Sequence, residues 1–207
     1  MGQAFLARAE ELQKAEGVKV VVVTGAGDHF MAGGDIKEFH SMVKAPPEAR
    51  SRAFGKLIGE LINPAMEILR TLPQPIVGKI RGACAGFGFS LMAGCDMALA
   101  ADNAYFTTGY SLLGTTADGG GTYFLPRLVG AKKAAELALL AERLDAQQAL
   151  ALGLVNRVVP LAELDPACET LAIRLAAGPS LAYANAGRDA DRPVGSRGRI
   201  LCRLQCQ

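Results

Sequence analysis

An α/β fold built on a parallel sheet is what this sequence predicts. Two observations carry the expectation. Short apolar runs rich in β-branched residues alternate with runs of helical period, and two of the strand-like runs pass through glycine-rich turns into helices. Half of the 207 residues are apolar, which supports one sizeable core.

The elements follow in order. Residues 3–14 carry Phe5, Leu6, Ala9 and Leu12 on one helical face. Residues 19–24 predict a buried strand, β-branched and nearly all apolar. After the break at Pro46-Pro47, Phe54, Leu57, Ile58, Leu61 and Ile62 predict a long helix, kinked at Pro64 and ended by Leu72-Pro73-Gln74-Pro75. Strands are predicted at 76–80, 96–100, 104–107 and 155–159. Residues 131–142, rich in Ala and Leu, predict a helix. Asp145-Ala146-Gln147-Gln148 predicts a capping box opening another, which Gly153 closes. From 186 to 207 the texture changes: five arginines and two cysteines with little apolar periodicity. The folded domain is therefore expected over 1–185, with 186–207 an atypical, disordered tail.

Composition excludes several classes. The net charge of +2 gives no electrostatic case for nucleic acid. Five cysteines without a CxxC pair, and only two histidines, argue against a metal site and for a reducing, cytoplasmic setting. Met1-Gly2 lacks the Ser or Thr that myristoylation needs at position 6, where Leu6 stands. The weakly charged stretch 82–101 holds glycines and Asp96, so it reads as a buried helix and turn rather than a membrane span.

The two glycine turns carry the chemistry. Met31-Ala32-Gly33-Gly34-Asp35-Ile36 follows the first strand, and Gly82-Ala83-Cys84-Ala85-Gly86-Phe87-Gly88-Phe89-Ser90 follows the second. Each exposes backbone N–H groups at a helix N-terminus, and two that converge make an oxyanion hole. Gly25-Ala26-Gly27 invites a dinucleotide reading, but Phe30 stands where the third glycine belongs, and no acid follows on a strand. Asp35 is expected to cap the helix from Ile36. Cys84 and Cys95 read as small packing residues, and His29 and His40 receive no role.

Both turns, together with Asp118-Gly119-Gly120-Gly121-Thr122, Leu125-Pro126-Arg127 and Gly153-Leu154-Val155, resemble in order the signatures of the crotonase, or enoyl-CoA hydratase/isomerase, superfamily. The resemblance covers roughly residues 5 to 183. It implies a crotonase-like ββα spiral with helices around the sheets, acting on acyl-CoA thioesters as a homotrimer or dimer of trimers. No metal or redox cofactor is implied, since coenzyme A is part of the substrate. The amides of Gly34 and Phe87 would hold the thioester oxygen. Ala32, Gly33, Asp35, Ile36, Gly86, Ser90 and Tyr110 would line the substrate site, with the helix from Ile36 bordering the adenine of CoA.

Departures from the family pattern shape the expected reaction. Ser90 and Tyr110 stand where hydratases of the family carry catalytic glutamates, and unactivated hydroxyls are poor bases. Asp118 is the remaining carboxylate, at a position where family isomerases and dehalogenases place an acid. The favoured reading is Δ3–Δ2 enoyl-CoA isomerisation in fatty acid metabolism. A hydratase (a lyase) with a non-standard base, and a weak acyl-CoA-binding protein, stay open. Asp118 as only an Asp-Gly turn residue stays open too. The family's opening hairpin has no counterpart in the sequence given, and its C-terminal helices are not recognisable beyond about Asn185; both would weaken CoA binding.

Overall fold

The computed structural model describes residues 1–190, and the side chains of all of these but 38 and 186–190. Helix α1 (Gly2–Lys14) buries Phe5 and Ala9, as their spacing predicts. Strand β1 (Val21–Thr24) is shorter than the predicted 19–24, and only Val23 in it is buried. It forms the edge of its sheet, so a strand expected to be buried is half covered.

Helix α2 (Ile36–Ser41) precedes a continuous helical run: α3 (Pro47–Lys56), a π-helical stretch at Leu57–Ile62, and α4 (Asn63–Arg70). The predicted kink at Pro64 takes the form of that π stretch. Pro64 has no N–H for the carbonyl four residues back, and its ring crowds that carbonyl. Widening the preceding turns to i→i+5 bonds relieves both, and Asn63 N–H donates to the Ile58 carbonyl.

Strand β2 (Ile76–Ile80) has its predicted span. Strand β3 (Ala83–Ala85) lies inside what the sequence presents as a turn, and leads into α5 (Phe87–Ala93). Strands β4 (Met97–Ala101) and β5 (Tyr105–Thr107) each begin one residue later than expected. Then come α6 (Gly121–Val129) and α7 (Ala131–Leu140), the latter stopped by left-handed Ala141. The two-residue β6 (Leu144–Asp145), not anticipated, opens α8 (Ala146–Ala151) through the full Asp145–Gln148 capping box. Strand β7 (Arg157–Val159) is shorter than the predicted 155–159, and α9 (Leu164–Ala176) and α10 (Ser180–Ala190) follow. The change of texture expected at 186 falls within α10, and residues 191–207 of the expected tail lie outside the described residues.

Two sheets result. One is parallel throughout, ordered β1-β2-β4-β7; the other is ordered β3-β5-β6, with β3 and β5 parallel. The chain winds through them as a spiral. In successive coils it makes a strand of the first sheet, a short stretch of the second, then a helix: β1, Met31, α2; β2, β3, α5; β4, β5, α6. Met31 takes the second-sheet place in the first coil by bridging Cys84 in parallel, with Met31 N–H donating to Ala83 O at 3.0 Å and Ala85 N–H to Met31 O at 2.9 Å. The ββα spiral is thus present with helices packed around both sheets.

Both faces of the parallel sheet are covered, as its near-continuous apolar strands require. Along β2 and β4, Ile76, Ile80, Ala98 and Ala100 face the main core with α1, α4 and α5. Val77, Leu99 and Ala101 face the other way, against Leu164, Cys168 and Leu171 of α9. Leu99 is fully buried at the centre of that second layer. Leu99→Ala is therefore expected to destabilise the fold by about 2–5 kcal/mol, while Leu181→Ala, at an exposed position of α10, changes little. Chemical denaturation of both variants checks this, and near-equal stabilities would show that α9 does not seal that face.

Candidate active site

The spiral sets the end of the second-sheet stretch in one coil beside its equivalent in the next. Met31 is in register with Cys84, and Cys84 with Phe106. Three residues beyond Met31 is Gly34, three beyond Cys84 is Phe87, and four beyond Phe106 is Tyr110. The chain turns outward at each place.

The first two turns touch through their glycines. Gly33 (φ +94°) and Gly86 (φ +53°) both lie in the left-handed region, and a Cβ on Gly33 would stand 3.6 Å from Phe87 N. Gly86 is the N-cap of α5, so the Phe87 amide is the first of the helix and has no intrahelical acceptor. The Phe87 ring is buried edge-on against Phe5, 5.3 Å between centroids, so α1 braces the residue whose amide faces the turn. Asp35 Oδ1 accepts from Lys37 N–H at 2.8 Å, the cap expected for α2. A Cβ on Gly34 would meet the Phe39 ring, so a side chain here would have to displace that ring. The turn that carries Gly34 and the turn that carries Phe87 are therefore in contact through Gly33 and Gly86.

The third turn brings the carboxylate. Asp118 opens a tight turn in which Gly121 N–H donates to Asp118 O at 2.9 Å, with Gly119 and Gly120 both at positive φ. It is thus a turn residue, and its side chain is also partly buried. A Cβ on Gly119 would stand 2.6 Å from the Phe87 ring, which measures how closely this turn lies on the first residue of α5. Tyr110 donates its hydroxyl proton to Asp118 Oδ1 at 2.5 Å, and Tyr110 Oη lies 3.0 Å from Ser90 Oγ. Burial pushes the Asp118 carboxyl above the ordinary carboxylate range, and the Tyr110 bond pulls it part of the way back. Burial, then the facing Asp118 charge, push the Tyr110 phenol well above its usual range. A carboxyl made more basic in this way is a better proton acceptor than a fully solvated one.

An apolar cavity of about 360 Å³ opens against the Ser90–Tyr110 pair, walled by Phe89, Leu125, Ala134 and Ala138 among others. Of the expected substrate-binding residues, Ser90 and Tyr110 line it. Gly33 and Gly86 sit at the turn contact, while Ala32, Asp35 and Ile36 are exposed outside it. Sequence reasoning named Ser90, Tyr110 and Asp118 singly and missed that they are bonded to one another. His29, given no role, accepts from Ala83 N–H at 3.2 Å through Nδ1 and so anchors β3. The Sγ atoms of Cys84 and Cys95 lie against the helix carbonyls of Gly88 and Leu91 in α5, as packing residues do. Among the described residues, no cluster of His, Cys, Asp or Glu is placed to hold a metal ion, and no helix is long and apolar enough to cross a membrane.

Comparison with known proteins gives the family. The enoyl-CoA hydratase/isomerase family profile matches residues 1–199. The chain is 33% identical over 171 residues to 1,2-epoxyphenylacetyl-CoA isomerase of Escherichia coli, covering 83% of this chain and 64% of that one. It is 32% identical over 174 residues to a probable enoyl-CoA hydratase of Rhodobacter capsulatus, covering 84% and 65%. The chain thus spans a little under two thirds of these relatives' length. A solved Mycobacterium abscessus structure, assigned as an enoyl-CoA hydratase/isomerase, superposes with a TM-score of 0.85 at 31% identity, covering 94% of this chain and 75% of that one.

The raised Asp118 pKa has a consequence for stability. This group's contribution is fully present below the ordinary value of 3.8, where the carboxyl is neutral in both states. It is lost as pH rises through the higher folded value. Asp118→Asn keeps an acceptor for Tyr110 and removes the charge, so it should denature later than the parent at neutral pH and equal it in strong acid. Denaturation midpoints across pH check this; a variant less stable at pH 7 would contradict it.

Proposed function

The chain belongs to the enoyl-CoA hydratase/isomerase family, and on that premise we propose that it binds an acyl-CoA thioester and moves a 3-enoyl double bond to the 2-position. One observation supports this reading: Asp118 is the carboxylate bonded into the Ser90–Tyr110 pair, so hydroxyls hold the two neighbouring positions and a single carboxyl is left to act as base. The C2 protons of a 3-enoyl thioester are acidified by both the carbonyl and the alkene. Asp118 takes one, the C2–H electron pair moves into a dienolate, and the amides of Gly34 and Phe87 hold its oxygen. The same carboxyl returns the proton at C4, leaving a 2-enoyl thioester, so no water is consumed and no cofactor is needed. The acyl chain occupies the apolar cavity, and α2 borders the CoA.

Hydration is the second reading, favoured by the relative named as a hydratase. It asks for one group to activate water and another to protonate carbon, and this site offers one carboxylate with two hydroxyls tied to it. Assays with 3-enoyl-CoA and 2-enoyl-CoA separate the two: isomerisation is expected to exceed hydration. Asp118→Asn should lower isomerisation about a hundredfold or more, and exchange of the C2 proton with deuterated solvent in parallel, with acyl-CoA affinity little changed. Unchanged exchange in a folded variant would reject Asp118 as the base. Binding of acyl-CoA with no turnover of either substrate would make the protein an acyl-CoA-binding member of the family.

The reading also includes self-association as a homotrimer or a dimer of trimers. Leu112 and Leu113, on the short helical turn Ser111–Leu113, and Leu139 and Leu140 at the end of α7 stay exposed on neighbouring elements. Such a patch is normally covered. Sedimentation should show a trimer or hexamer at micromolar concentration, and a stable monomer would count against it.

A further inference from the structure

Tyr110 has a single hydroxyl proton, and it goes to Asp118 Oδ1. The 3.0 Å contact with Ser90 must then run the other way, with Ser90 Oγ–H donating to Tyr110 Oη. Ser90, Tyr110 and Asp118 thus form a directed chain of hydroxyls ending on the carboxylate. The three lie on separate segments: Ser90 on α5, Tyr110 just past β5, Asp118 on the turn before α6. Ser90 is fully buried, and a Cβ on Gly121 would stand 2.5 Å from its Oγ, so the start of α6 holds it in place.

We propose that Tyr110, held by Ser90, is the positioning residue of Asp118: it occupies Oδ1, fixes the rotation of the carboxylate, and leaves Oδ2 to carry the proton between C2 and C4. The proposal rests on the isomerase reading of Asp118 above. In the forward step the C2–H bond breaks and an O–H bond forms at Oδ2, the electron pair passing to the dienolate. In the return step that O–H bond breaks and a C4–H bond forms, and Asp118 is an ionised acceptor again. The Tyr110 proton stays with Tyr110 throughout. A bond donated to the ionised carboxylate favours that form, so it keeps a buried group ionised near neutral pH and ready to accept. A neighbour that donates to Tyr110 Oη makes its O–H a better donor in turn.

The test compares parent, Tyr110→Phe, Ser90→Ala and Asp118→Asn for 3-enoyl-CoA isomerisation and for C2 exchange in deuterated water across pH. Tyr110→Phe is expected to lower kcat about ten- to a hundredfold with KM little changed. It should also move the acid limb of the pH profile to higher pH. Ser90→Ala should do the same to a smaller extent. A packing role alone would leave the acid limb where it is. If Asp118→Asn abolishes exchange while Tyr110→Phe and Ser90→Ala keep the parent's kcat and profile, the positioning role is overturned and the base assignment stands. If Asp118→Asn retains exchange, or the parent shows none, the base reading falls and this proposal with it. Should Tyr110→Phe fail to fold, Ser90→Ala decides alone, because it leaves the Tyr110–Asp118 bond in place; an unmoved acid limb there overturns the proposal.

Discussion

The register of three short stretches in neighbouring coils is the constraint on which the rest of the molecule depends. Met31 pairs with Cys84 and Cys84 with Phe106, all in parallel. Parallel pairing places equivalent points of successive coils side by side. The outward turns at Gly33–Gly34, Gly86–Phe87 and Gly109–Tyr110 are therefore stacked rather than scattered, and Gly86 N–H donates to Thr107 O at 3.2 Å to tie the second to the third. A slip of one residue in β3 would turn the Cys84 side chain out of the core and carry the Phe87 amide away from Gly34. The buried faces of β2 and β4 guard against such a slip, because their alternating residues fit two different layers.

The price of this stacking is paid in glycine and small side chains. A Cβ on Gly88 would run into Met31 O, so α5 can approach the first coil only where that residue has no side chain. The same closeness brings Gly33 into contact with the Phe87 amide. Packing around the site is correspondingly close: Phe5 meets the Phe87 ring edge-on, and the backbone of Gly119 lies against it. Preorganised donors of this kind need no rearrangement when negative charge develops, which is the physical basis of oxyanion stabilisation.

Much of this was legible in the sequence, and the misses have physical causes. Long periodic runs declared themselves: α1, α7 and β2 lie within two residues of their expected bounds. The capping box at Asp145 was legible because both of its bonds are local, within three residues. Strand β3 was not, because Ala83-Cys84-Ala85 has no β-branched residue and is strand only through its partners Met31 and β5. The π stretch before Pro64 was read as a kink, since a proline signals trouble in the helix without saying how the backbone resolves it. At the site, the glycine turns and Asp118 were visible as motifs. The bonds joining Ser90, Tyr110 and Asp118 were not, because they span 20 and 8 residues and depend on the coils being stacked.

That hydroxyl chain also explains how a site without a glutamate pair remains polar and ordered. A serine with no exposed surface and a partly buried tyrosine must each find hydrogen-bond partners, or leave groups whose desolvation is uncompensated. Neither could serve the other alone: two hydroxyls facing each other leave one proton undirected. The carboxylate resolves this, because it accepts and does not donate. With Asp118 at the end, every hydroxyl proton in the chain has one direction, and the charge has a donor on Oδ1. The dependence runs both ways. Truncating the Asp118 side chain takes away the tyrosine's acceptor, and removing the tyrosine hydroxyl leaves the carboxylate with one donor fewer. A polar network with that mutual dependence holds its geometry more tightly than any of its members would hold alone, and tight geometry is what a single carboxyl needs to reach two carbons of one substrate.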